Sequence, residues 1–376
     1  MAHAYTPGLK VLKEARVSKT RMLPLKGEVK SSKGDAVTPE TIVASTELPG
    51  NVQMVNVAGQ LNVDPGDVGE CMLKREGEKV AKGEALARSK GIFGLFKATL
   101  ASPAEGTVES ISGVTGQVVL REAPIPVQVD AYVRGRVVEE LPHEGVVVET
   151  TGCFIQGIFG IGGERQGEVR VIVDGPDQEL VSGRIDESCR GKILVGGSFI
   201  SLPTLRKAMQ MGVAGVIVGG FNYQDLKPLL GFDLGVAITG GENIATALVL
   251  TEGFGRIAMA ERTFELLKAQ EGRQASLNGA TQIRAGVIRP EVIIPHEQHE
   301  LTGQEFDESK ITGIVGGSLV RVIRAPYFGV LGQVTSLPPE LREMESGTLV
   351  RTAEVKLADG RVVLLPRANL EMVETD

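Results

Sequence analysis

The residues with chemistry to offer sit mostly at the ends of strand-like runs in the second half of the chain. Gly196-Gly197-Ser198 follows the apolar run Ile193-Leu194-Val195, and successive main-chain N–H groups in such a turn can hold an anion. Glu252 lies in Thr251-Glu252-Gly253-Phe254-Gly255, at the end of another apolar run, where a carboxylate can serve as a general base or a cation ligand. The polar run from Asn278 to Arg284 adds an amide and a guanidinium, the latter suited to carboxylate or phosphate. Gly196, Gly197, Ser198, Glu252, Asn278 and Arg284 form the candidate ligand set. The plainer alternatives are that the glycines are ordinary turn residues and that Glu252 and Arg284 pair with each other.

Other constellations carry less. His296 and His299, with Glu297 and Glu300 beside them, are spaced to share a helical face as metal ligands do. The surrounding stretch is acidic, polar and poor in aliphatics, so it reads as a linker and no metal is assigned. Cys71, Cys153 and Cys189 are far apart and form no CxxC pair, which suggests neither an iron–sulfur cluster nor a structural zinc. The glycine-rich segment 157–163 lacks the Lys-Ser or Lys-Thr ending of a phosphate loop and precedes a strand-like run, so a hairpin or bulge is expected there. With no GxSxG, HExxH or kinase-like set, no catalytic residue is assigned and the reading leans away from an enzyme.

The elements that must position these residues are legible by pattern. Between Lys192 and Gly272 strand-like runs alternate with helical ones. KILVGG, VAGVIVGG, LGVAITG and ATALVLTEGFG read as strands; SLPTLRKAMQMG, NYQDLKPLLGF and AERTFELLKAQEG read as helices, the first opened by Ser201 with Pro203 in its first turn. Such alternation predicts a small parallel sheet with right-handed crossovers, whose ligand site should lie outside the carboxyl ends of the strands. The arrangement is similar to small swivelling-type α/β domains that accompany phosphotransferases and kinases.

The chain has 376 residues, enough for two or three domains. Its 42% hydrophobic content with 48 glycines argues for folded, turn-rich structure. Aromatics at 4% and the absence of tryptophan count against a single-strand nucleic-acid binder, which stacks bases on aromatic platforms. Net charge is −7, yet eight Lys/Arg stand against two acids from Met1 to Lys33. Residues 1–25 are therefore read as a basic N-terminal arm, solvated and frayed, or else docked on an anionic partner or a second copy. With neither a signal-like apolar stretch nor a run of about 18 apolar residues, no membrane span and a cytoplasmic location are expected.

Two matching half-motifs occupy the region after the arm. The first joins Gly34-Asp35-Ala36-Val37, Ile42-Val43-Ala44 and Pro49-Gly50-Asn51-Val52; the second joins Gly77-Glu78-Lys79-Val80, Ala85-Leu86-Ala87 and Pro103 to Val108. Units this short are expected to face one another across a shared core. The second copy resembles the lipoyl/biotinyl domains and related barrel-sandwich hybrids over roughly residues 26 to 125. In that family an exposed hairpin lysine receives the cofactor, and the resemblance marks Lys97 as the matching position. Gly94-Leu95-Phe96 stand where the carriers have an acidic or methionine residue before the lysine, and no cofactor is assigned.

Residues 316–336, GGSLVRVIRAPYFGVLGQVTS, resemble the KOW motif of SH3-like barrels at Gly317, Val320, Val322, Pro326, Phe328, Gly329, Gly332 and Val334. TLVRTAEVKL and RVVLLPRANLEMV, joined by the hairpin signal Asp359-Gly360, supply the remaining strands. The resemblance implies contact with RNA or protein, through Arg321, Arg324, Tyr327 and Phe328. Seven Lys/Arg against eight Asp/Glu from Ile311 onward give no basic face, which disfavours RNA and favours a protein partner or self-association.

The fold expected is a multidomain, β-rich plus α/β chain: basic arm at 1–25, barrel-sandwich hybrid at 26–142, a central small parallel α/β domain with β additions at 143–295, an acidic linker at 296–310 and a KOW or SH3-like barrel at 311–376. The leading functional expectation is a non-catalytic binding or scaffold protein that assembles through its β modules. An RNA- or transcription/translation-associated KOW factor and a carrier or anion-binding enzyme subunit are the alternatives.

Overall fold

The opening strand Leu9–Met22 organises the molecule. In it Leu9, Val11, Ala15 and Val17 turn inward, the alternation of a half-buried strand. The computed structural model of the chain describes residues 9–89, 97–232, 240–282, 288–296, 314–322, 326–327, 330–343, 349–357 and 359–374. Strands account for 47% and helices for 14%, so the chain is β-rich with several sheets.

The solvated arm expected at residues 1–25 is corrected over Leu9–Met22. This strand runs antiparallel to Gly145–Gln156, from Val11 opposite Ile155 to Met22 opposite Gly145, with one irregularity between Leu12 and Ala15. Its cations find acids within the same chain. Arg16 Nε donates to Glu149 at 2.8 Å, Lys19 Nζ reaches Glu291 at 2.6 Å, and the Arg21 fork meets both oxygens of Glu164 at 2.7 and 2.8 Å and Asp130 at 3.0 Å. The basic segment does dock on an acidic body, and that body is its own.

Gly145–Gln156 is shared on its other edge. Its first half pairs with Gly135–Leu141 and its second half with Glu291–Pro295, which continues through Gln274–Asn278 to Glu164–Val171. The expected boundary at residue 143 therefore cuts through a sheet, because strand partners 140 residues apart leave no local mark in the sequence. A side chain at Gly152 would place its Cβ 2.2 Å from the Ile294 carbonyl, so only glycine lets these backbones meet.

The two half-motifs form equivalent turns. Asp35 Oδ2 accepts from the Ser32 amide at 2.8 Å, and Glu78 Oε2 accepts from the Arg75 amide at 2.8 Å. Gly34 and Gly77 follow the same left-handed path at φ 99° and 85°. The expected shared core is corrected. Val37 and Val43 pack with Val137, Val146 and Val148, whereas Val80, Leu86 and Ala87 pack with Val55, Val108, Val118 and Leu120. Residues 51–122 are a nested module inserted in the hairpin of Ile42–Leu48 and Ile125–Asp130, which pair from Leu48 opposite Ile125 onward. Its entry and exit are tied where the Glu122 amide donates to the Asn51 carbonyl at 2.9 Å.

The central region carries the expected parallel pairing. Ile193–Val195 lies between Glu164–Val171 and Gly215–Phe221, which in turn pairs with Ala247–Phe254, all parallel. Helix Leu202–Gln210 starts at Ser201, whose hydroxyl accepts from the Thr204 amide with Pro203 in the first turn. Helices Leu226–Leu230 and Glu261–Lys268 follow the next two strands. The strand expected in LGVAITG falls mainly on residues outside those described, as does most of the expected linker. Ile193, Leu194, Val216, Ile217, Leu248 and Val249 are fully buried, each contributing about 1.5–3 kcal/mol by leaving water.

At the C-terminal end, Leu319–Val322, Leu331–Ser336, Leu349–Leu357 and Val362–Pro366 pair antiparallel in succession, and Leu370–Glu374 returns to Leu319–Val322. Asp359-Gly360 makes the expected turn, with Gly360 at φ 87°. The sheet joins the rest of the molecule through parallel pairing of Leu9 with Val373 and Lys10 with Glu374.

Gly152→Ala tests the shared strand: it should cost on the order of 1–3 kcal/mol by forcing backbones apart, read as a lowered midpoint of thermal unfolding, while Gly66→Ala, which meets nothing within 4 Å, should leave the midpoint nearly unchanged.

Candidate functional site

The carboxyl ends of the parallel strands are where a ligand was expected, and the fold fills them with its own chain. Gly196 and Ser198 donate their amides to the carbonyls of Ile217 and Gln178, both at 2.8 Å, and the Ser198 hydroxyl donates to Asp177 at 2.7 Å. A Cβ on Gly197 would lie 2.4 Å from the Gln178 carbonyl. The segment after Ala247–Phe254 crosses this end, with the Ile257 amide on Ser198 O at 3.3 Å and the Met259 amide on Pro176 O at 3.0 Å. Two of the three N–H groups read as an anion cradle thus hold the sheet end together.

Glu252 is buried here, with the Ala260 amide donating to Oε1 at 2.9 Å. Its Oε2 meets Arg321 Nη2 at 2.7 Å, with side-chain exposures of 3% for the acid and 4% for the arginine. Arg321 Nη1 donates to the Thr251 carbonyl at 2.9 Å. The structure therefore joins a residue of the candidate ligand set with one of the candidate partner-binding set, across 69 positions of sequence. Arg321 is not a surface contact: it is the link between the C-terminal sheet and the central strands. Such a pair stabilises little relative to apolar residues of the same shape, yet removing one partner leaves a buried charge uncompensated.

The remaining candidates separate. Asn278 accepts from the Ala280 amide at 2.9 Å through its own side chain, a local turn. Lys97 is exposed, next to Ala98, which exchanges hydrogen bonds with Ser89. Tyr327 is half-buried, with the Arg361 guanidinium 5.9 Å from its ring centre. Arg284, Arg324, Phe328 and His299 lie outside the described residues. Among the described residues no three His, Cys, Asp or Glu side chains gather as metal ligands. Cys71, Cys153 and Cys189 are buried free thiols.

A second polar centre has no local sequence signal. Tyr132 is buried, adopts φ 64°, and donates its hydroxyl to Glu291 at 3.3 Å. Lys19 holds the other Glu291 oxygen, and the Arg21 guanidinium lies 5.3 Å from the Tyr132 ring centre. Burial pushes the phenol well above its ordinary range, and the charges of Glu291 and Glu164 push the same way against Arg21. These groups come from three distant strands and a turn, which is why spacing alone does not unite them.

No protein-family model matches the chain, and no curated protein matches it in sequence. Among the described residues no helix is long and apolar enough to cross a membrane.

Two expectations follow. Arg321→Met should lose about 3–5 kcal/mol through the stranded Glu252 carboxylate, and Glu252→Gln in the same chain should recover much of it, measured by urea unfolding. Folding favours the protonated Tyr132 phenol, so that stabilisation is full below pH about 10, the free phenol value, and disappears as pH rises toward the higher folded-state value. Unfolding midpoints followed above pH 10 should therefore fall more steeply for the native chain than for Tyr132→Phe.

Proposed function

We propose that this protein is a non-catalytic binding or scaffold protein that assembles with other proteins or with itself through its β modules. The observation that carries the reading is a pair of edge strands bearing exposed apolar side chains in two separate parts of the chain. Val52–Asn56 pairs only with Gln117–Arg121 among the described strands and exposes Val52 and Met54, the latter at 64%. Leu341–Glu343 pairs only with Leu349–Leu357 among the described strands and exposes Leu341 at 56%. An open strand edge with apolar side chains is a template for addition of a partner strand.

The use made of Glu252 and Arg321 supports the same reading. The carboxylate with the strongest claim to chemistry serves cohesion, joining the C-terminal sheet to the central strands. A KOW-type RNA factor is the rival reading, and the conversion of Arg16, Lys19 and Arg21 into internal pairs weakens it by removing part of the expected basic surface. The carrier reading rests on Lys97 alone.

Affinity purification from the native host's lysate at moderate salt, with and without nuclease, should recover protein partners that survive nuclease and that Met54→Lys or Leu341→Lys abolishes. Partners or RNA lost on nuclease treatment would move the RNA factor into first place. Intact mass should match the unmodified chain; an added mass at Lys97 would restore the carrier reading.

A further inference from the structure

A pocket of about 430 Å³ opens between the Thr38–Glu40 turn, Arg134 and the residues around Arg273 and Ser276. Its size falls within the roughly 300–1,000 Å³ range of small-molecule sites. Tyr132 clamps its two walls together: its amide donates to the Pro39 carbonyl at 3.0 Å, and the Ser276 hydroxyl donates to the Tyr132 carbonyl at 2.5 Å. Tyr132 does this at φ 64°, a left-handed backbone that a bulky non-glycine residue adopts only where its surroundings force it. Such positions cluster at ligand clamps.

The charges lining this pocket are unbalanced. Arg134 is exposed, and among the described residues no hydrogen bond or ion pair engages its guanidinium. Arg273 is half-buried and meets no carboxylate among the described residues: Nη1 donates to Gln270 Oε1 at 3.0 Å and lies 3.5 Å from His296 Nδ1. Elsewhere in the chain the guanidiniums of Arg16, Arg21, Arg121, Arg184 and Arg321 are matched with carboxylates, and those of Arg165, Arg206 and Arg367 with backbone carbonyls. Glu40 is the single acid lining the pocket.

We propose that this pocket binds a small, hydroxyl-bearing phosphomonoester. Two planar guanidinium forks suit a dianionic phosphate, which accepts bidentate hydrogen bonds along each face. Glu40 and Gln274 also line the pocket, and a carboxylate and an amide can accept from, or donate to, hydroxyl groups on the organic part. The site is distinct from the carboxyl ends of the parallel strands, and it stands apart from the scaffold reading, since it involves neither edge strand.

The test is titration calorimetry on the full chain with adenosine monophosphate, glucose 6-phosphate and inorganic phosphate, and with adenosine and glucose as dephosphorylated counterparts. The expected result is saturable binding of at least one phosphomonoester, no binding of its counterpart, and affinity at least tenfold weaker in Arg134→Gln and in Arg273→Gln. Arg262→Gln, an exposed helical arginine, should bind as the native chain does. Absence of saturable binding for every phosphomonoester, equal binding of the dephosphorylated compound, or affinity unchanged in both pocket variants would each overturn the proposal. Arg134 is exposed, so its variant remains informative even where Arg273→Gln lowers stability.

Discussion

Everything in this molecule depends on how the strand Leu9–Met22 is satisfied. It brings fourteen residues of backbone donors and acceptors and a row of cations that would otherwise remain in water. Gly145–Gln156 supplies the hydrogen-bonding edge along most of its length, and Leu370–Glu374 takes up its first residues. One strand thereby ties the earliest described residues of the chain to the last. The ion pairs along it are partly buried, so water and salt screen them less than surface pairs, and they fix register as well as charge.

The buried pair of Glu252 and Arg321 belongs to the same scheme. Strand pairing at Leu9 and Lys10 attaches the C-terminal sheet through two residues. The second attachment is a desolvated ion pair with an additional bond to the Thr251 carbonyl. Desolvation makes such a pair a costly way to gain stability and an effective way to specify one arrangement. The same economy governs the strand end at Gly196 and Gly197, where close backbone approach takes the space a ligand would need.

Nesting explains the rest of the architecture. Residues 51–122 enclose their own apolar cluster and enter and leave through one hairpin, so the module sits as a projection on a frame built by distant strands. The pocket beside Tyr132 lies in the frame itself, where strained backbone and uncompensated guanidiniums coincide.

Many local signals were legible in the sequence, though the glycine-rich stretch read as a hairpin or bulge holds a strand, Phe159–Ile161, paired with Ala247–Phe254. Ser201 and Pro203 marked the start of a helix, Asp359-Gly360 a hairpin, Gly34 and Gly77 two matching turns, and the Ile193, Val216 and Leu248 runs a buried parallel sheet, because each depends on neighbours a few residues away. Glu252 was legible as an unusual carboxylate, yet its partner was not, since Arg284 and Arg321 look alike to any rule based on spacing. The basic residues Arg16, Lys19 and Arg21 read as part of a solvated arm for the same reason: their acids lie at positions 130, 149, 164 and 291. Sequence by itself determined the elements, their turns and their apolar faces. Only tertiary structure decided which strands share an edge, which charges are neutralised and which remain, because pairing between distant segments is selected by the joint geometry of the whole chain and leaves no period in any one of them.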